Sequence, residues 1–145
     1  MSASNRAVVQ RLFSDGLNNR DVSVLSDLFL RDCIFHMPLV GELRGEAVSR
    51  FYASLFVAFP DAERTVDDQV EDGNQTVVTR WTATGTHEGE FMGIAPTRKR
   101  VTITGISIHR IAGGRIVEEW QEWDSLGLMQ QLGAVPTLKF EPKAA

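Results

Sequence analysis

The sequence predicts an α+β fold in one domain: helices dominate the first third and an antiparallel meander follows. Three observations carry this reading. Apolar residues recur at three- and four-residue intervals up to Pro60, the spacing drops to two beyond it, and turn residues cut the second half into hairpins. With 145 residues, 43% of them hydrophobic, the chain is long enough to bury one core.

The first helix follows from the stripe Val8, Val9, Leu12, Phe13 and Leu17, with Ser4 placed to cap its start and Gly16 near its end. A second, short helix begins after Asp21. Residues 33–37 read as a short strand closed by Pro38, and Gly41 and Gly45 punctuate the loop behind it. Val48, Phe51, Tyr52, Leu55, Phe56 and Phe59 fall on one side of an amphipathic helix that Pro60 stops. Ala62, Val66 and Val70 share one face of the next strand; Asp72-Gly73-Asn74 then turns the chain, and residues 75–87 return as its hairpin partner. Residues 97–111 form a long strand whose apolar positions change phase, from Val101 and Ile103 to Ile106 and Ile108. Gly105 sits at the change, so a β-bulge is expected there. Gly113-Gly114 turns the chain again, residues 115–123 pair back, and a last helix over 125–132 ends at Gly133. The domain spans residues 1–135, and 136–145 read as a C-terminal tail.

A net charge of −4 with scattered Lys and Arg argues against nucleic acid and against an anionic membrane surface, leaving small molecules or protein as partners. No apolar run has the length of a membrane span, and the N-terminal MSASNRAVVQ lacks the apolar core of a signal peptide, which points to the cytoplasm. The lone Cys33, in CIFHM, reads as a buried strand residue, and no histidine pair has metal-ligand spacing, so no metal site is expected.

The segment GTHEGEFMGIAPT over residues 85–97 and the closing run GRIVEEWQEWDSLGLMQQLG over 114–133 resemble the SnoaL-like branch of the NTF2-like superfamily. The resemblance implies a cone: a strongly bent antiparallel sheet with helices across its concave side, enclosing a mostly apolar pocket. It further implies cofactor-free chemistry on a hydrophobic, polycyclic or polyketide-like small molecule, whether cyclisation, isomerisation or hydroxylation. The rival reading is a non-catalytic small-molecule binding or carrier protein; a third is a structural dimerisation domain whose cavity is filled by Phe, Met and Trp side chains.

When Arg110-Ile111, Gly114 and Gln131-Leu132-Gly133 are aligned with the family's landmarks, its acid-base aspartate falls at Gln121 and a histidine of the neighbouring strand at Ser107. A glutamine takes up no proton. The base then falls to Glu119, two residues earlier on the same strand face, or to Asp124 across a bulge at the strand's end. Asp124 also reads as the N-cap of the last helix, and Glu119 as a partner of Arg115 or Arg80. Alternation puts Val117, Glu119, Gln121 and Trp123 on one strand face, Ile116, Glu118, Trp120 and Glu122 on the other. His36 contacts ligand from the pocket wall or is a satisfied core histidine; His87 orients substrate at the mouth or holds its own turn; His109 shares a strand face with Ser107. Arg80 meets a ligand carbonyl or a carboxylate, or is solvated on the outer face. Trp81, Trp120 and Trp123 stack on a flat ligand or belong to core and dimer contacts, and Tyr52 reads as core. Phe91, Met92 and Ile94 form a lid or pack on a second subunit. Ile106, Ile108, Ile116 and Trp120 make the outer sheet face apolar, which predicts a sheet-to-sheet homodimer.

Overall fold

A computed structural model describes residues 4–142 of the chain. α1 (Asn5–Arg11) starts where the Ser4 hydroxyl accepts the Ala7 N–H, and it winds on as a wider π-helix over Leu12–Asn18. The predicted stripe Val8, Val9, Leu12, Phe13 and Leu17 is buried along this run. Asp21 caps α2 (Val22–Leu28), accepting the Ser23 N–H. Then follow β1 (Phe29–Met37), β2 (Gly41–Arg44), α3 (Glu46–Ala58), β3 (Glu63–Glu71), β4 (Thr76–Thr86), β5 (Arg100–Ala112), β6 (Arg115–Trp123) and α4 (Ser125–Leu132). Beyond Gly133 no helix or strand follows up to residue 142, and residues 143–145 of the predicted tail lie outside the described part. Among the described residues, no helix is long and apolar enough to cross a membrane.

The six strands form one sheet in the order β2-β1-β6-β5-β4-β3. Four pairings are antiparallel, but β1 runs parallel to β6, with Phe35 beside Glu119 and His36 beside Trp120. The sheet is therefore a meander closed by its own first strand. Two expectations were too short here: the strand predicted over 33–37 begins at Phe29, and residues 41–44, read as loop, pair with β1 as β2.

Helices cover one face of this sheet, and that face carries the core. Across β4, β5 and β6 the register aligns three inward rows: Val77, His109 and Glu119; Thr79, Ser107 and Gln121; Trp81, Gly105 and Trp123. The bulge expected at Gly105 is absent. Alternation runs unbroken along β5, with Val101, Gly105, Ser107, His109 and Ile111 buried and Ile106 and Ile108 turned outward. The apparent change of phase arises because polar side chains take the inward positions of the strand's second half. Gly105 answers a different demand: the Trp81 indole lies over it, and a Cβ would come within 2.3 Å of the ring.

The register shifts lie elsewhere. One, between Val66 and Asp68 in β3, turns Val70 out to solvent, against the prediction that it shares a face with Ala62 and Val66. The other, between Arg110 and Ile111 where β5 meets β6, carries Ile116 into the core rather than the outer face. Each extra residue reverses the faces beyond it.

Candidate active site

α3 crosses the concave side of the sheet and leaves a narrow cavity, about 50 Å³ and open at its mouth, between Leu55, Phe56 and Phe59 above and the strands below. Its wall is apolar apart from Arg64 of β3, Thr84 of β4 and Gln121 of β6.

Behind Gln121 lies a buried polar cluster. Glu119, 1% exposed, accepts the Tyr52 hydroxyl at 3.0 and 2.9 Å on its two carboxylate oxygens. α3 delivers Tyr52 from its apolar stripe, so the helix that roofs the cavity also ties down its floor. Gln121 Nε2 lies 3.2 Å from Glu119 Oε2, 3.3 Å from the Tyr52 oxygen and 3.5 Å from Ser107 Oγ, three donor contacts at the long end of the hydrogen-bond range. The Ser107 hydroxyl accepts the Trp81 indole N–H at 3.0 Å. His109 Nε2 lies 3.1 Å from Glu119 Oε2, within ion-pair reach but off the line of a hydrogen bond, and neither ring nitrogen has a hydrogen-bond partner among the described residues. Burial, reinforced by the Glu119 charge, holds the Tyr52 hydroxyl well above the ordinary phenol range, so Tyr52 is a neutral donor.

Arg64 projects from β3 in the row it shares with Ala83 and Ile103. Its guanidinium carbon lies 5.9 Å from the centre of the Trp81 ring, and among the described residues no carboxylate or carbonyl pairs with it. Desolvation pulls its pKa below the usual arginine value, while Tyr52 and Glu119 pull the other way.

The structure thus brings together Glu119, Gln121, Ser107, His109 and Trp123 of the predicted site. Trp123 lines the cavity and donates its indole N–H to Met37 Sδ. Phe91 stands behind the wall, 5.5 Å from Phe59 and 6.3 Å from Trp123 between ring centres. His87 is buried and holds its turn, Nδ1 accepting the Thr97 N–H at 3.1 Å.

Three predicted residues sit away from the cavity. Asp124 is exposed and caps α4, its carboxylate accepting the Gly127 N–H at 2.8 Å. His36 lies on the opposite face of β1, stacked on Trp120 and 2.7 Å from Glu118. Arg80 is on the outer face of β4, paired at 3.8 Å with Asp67 rather than with Glu119. For His36 and Arg80 the reason is strand parity: their cross-strand neighbours, Trp120 and Ile106, belong to the outer rows. Two residues that sequence reasoning missed complete the site. Parity with Ala62 and Val66 already put Arg64 inward, and the only tyrosine on a helix facing the inner rows was the signal for Tyr52. Among the described residues, no three His, Cys, Asp or Glu side chains gather as a metal site.

A family model described as SnoaL-like polyketide cyclase matches residues 7–132. No curated protein sequence matches the chain. Among solved structures, AclR of Streptomyces galilaeus, provisionally designated a hydroxylase, superposes with a TM-score of 0.84 at 26% identity, covering 96% of this chain and 87% of AclR. IdmH of Streptomyces antibioticus, provisionally designated a polyketide cyclase, gives 0.79 at 29% identity over 90% of this chain and 99% of its own. TsrD of Streptomyces laurentii gives 0.78 at 30% identity over 92% of this chain and all 100% of its own.

Proposed function

Since the chain belongs to the SnoaL-like polyketide cyclase family, we propose that it is an enzyme that admits a hydrophobic, polyketide-like small molecule to the cone and moves a proton at its floor, with Glu119 as the base. The observation that carries this reading is the buried Glu119 carboxylate directly beneath an apolar cavity. A carboxylate out of water costs several kcal/mol even when bonded, and an apolar residue would be the more stable filling. Its presence behind the wall of an apolar cavity points to chemistry. Gln121 stands between carboxylate and cavity, held by contacts of 3.2 Å or longer, and rotation of its side chain uncovers Glu119. Tyr52 keeps the carboxylate in place and is positioned to share the proton that it gains. The designations of AclR and IdmH leave hydroxylation and ring closure as the reaction types to test.

The cover over Glu119 also supports a second reading, a carrier that keeps the cavity without turning its ligand over. A mass-spectrometric turnover assay separates the two, using aromatic polyketide esters and hydroxylation precursors with the wild-type protein and Glu119→Gln. The expected result is a wild-type product, of unchanged mass for ring closure or isomerisation and one oxygen heavier for hydroxylation, with a loss of about 100-fold or more in the variant. Equal rates would remove Glu119 as the base, and wild-type binding without product would favour the carrier.

The same reading includes a homodimer through the outer sheet face. Ile106 is 47% exposed and Ile108 36%, neighbours on β5 with Trp120 beside them on β6. An apolar strip on an otherwise polar face suits a second copy.

A further inference from the structure

We infer that Arg64 is an anion anchor, and that the cavity selects ligands carrying an ionised oxygen: a carboxylate, or an acidic enol or phenol, on an apolar ring system. This rests on the proposed small-molecule function and names its substrate class.

The position of Arg64 in the cavity wall carries the argument. Arg6, Arg11, Arg44, Arg80, Arg100 and Arg110 each have a carboxylate within ion-pair distance, and Arg20, Arg31, Arg50, Arg98 and Arg115, which have none, are exposed to solvent. Such surface pairs stabilise little. Arg64, the arginine that lines the cavity, is the one for which pairing would matter most, and among the described residues it has no such partner. The carboxylate of the floor does not serve, because Glu119 already accepts from Tyr52 and Gln121. A guanidinium presents a planar fork of N–H donors, and Arg64 holds that fork in an apolar wall where solvent still reaches it, open to an acceptor. The lining around it, from Phe59 to Ile103 and Trp81, offers a ligand apolar contact and no competing anion.

Gln121 adds a second polar contact point. Its amide nitrogen faces the floor, where the Glu119 carboxylate demands a donor, so the amide oxygen is left with no protein partner among the described residues. A ligand whose ionised oxygen meets Arg64 can therefore donate a neighbouring hydroxyl to Gln121. The apolar body fills the cone, the anion fixes which end enters, and Glu119 is reached last.

The test reads binding rather than turnover, with 2-naphthoate and its methyl ester titrated calorimetrically into wild type, Arg64→Met and Arg64→Lys. The expected result is an acid bound about ten-fold or more tighter than the ester, a preference that Arg64→Met erases while the ester's affinity stays the same and Arg64→Lys keeps in part. If Arg64→Met does not fold, wild type answers by salt: the acid's affinity falls with ionic strength and the ester's does not. Equal binding of acid and ester, a preference that survives Arg64→Met, or no binding of either overturns the anchor. Equal binding leaves the small-molecule reading standing, and an inactive or unaffected Glu119→Gln leaves the anchor standing.

Discussion

Glu119 keeps its carboxylate where solvent does not reach, and Tyr52 is the donor that makes this tolerable. Removal of that hydroxyl in Tyr52→Phe takes the closest donor from a buried carboxyl group, at an expected cost of about 1–3 kcal/mol in denaturant unfolding. The folded-state pKa of Tyr52 lies above its ordinary 10.0, so its neutral form supports the fold fully below that pH, and the support is lost as pH rises past it. As the only tyrosine, Tyr52 reports this itself: phenolate absorbance is expected to appear together with alkaline unfolding, and a titration near the ordinary value in the folded protein would contradict the burial. Strand alternation made Glu119, Gln121, Ser107 and His109 legible as one inward group. It could not show Tyr52, because an apolar helical stripe has the same period whether a tyrosine's hydroxyl ends in oil or on a carboxylate. Arg64 was masked by its company, since Glu63, Asp67 and Asp68 make β3 read as a solvated strand.

Among the elements, β5 shows how a site disguises a strand. Its first half follows the rule of apolar side chains inward, while its second half sends Ser107 and His109 in and Ile106 and Ile108 out. Hydrophobic phase alone reads that as a bulge. The helices were more legible because their inward faces hold few polar groups, and the caps Ser4, Asp21 and Asp124 are local features that need no tertiary partner. What Gly105 permits is expected to be measurable: Gly105→Ala forces the Trp81 ring off its seat, with its bond to Ser107, at about 1–3 kcal/mol in urea unfolding. An unchanged midpoint would mean that the indole moves freely. The segment over residues 85–97 is anchored at its root, where the N–H groups of Glu88 and Gly89 both donate to the Ala58 carbonyl at the end of α3. Gly89 passes so close that a Cβ would meet the Val57 carbonyl oxygen at 2.3 Å. Only its tip, with Met92 exposed, is left to act as a lid or a contact.

At the scale of the whole molecule, the outer face of β4, β5 and β6 sets the expected assembly. Light scattering is expected to give a dimer at micromolar concentration and a folded monomer for the double change Ile106→Glu and Ile108→Glu; a wild-type monomer would refute the sheet-to-sheet contact. The meander was legible from turn residues, which are local, but the pairing of β1 with β6 was not, because nothing near either strand encodes a neighbour some eighty residues away. That pairing sets an order of events. As the chain leaves the ribosome, β1 has only the short β2 to pair with, and its inward residues Phe35 and Met37 wait until β6 has been made. The strand that β1 waits for is the one that brings Glu119 and Gln121, so the cone acquires its buried carboxylate in the same step that pairs its first strand.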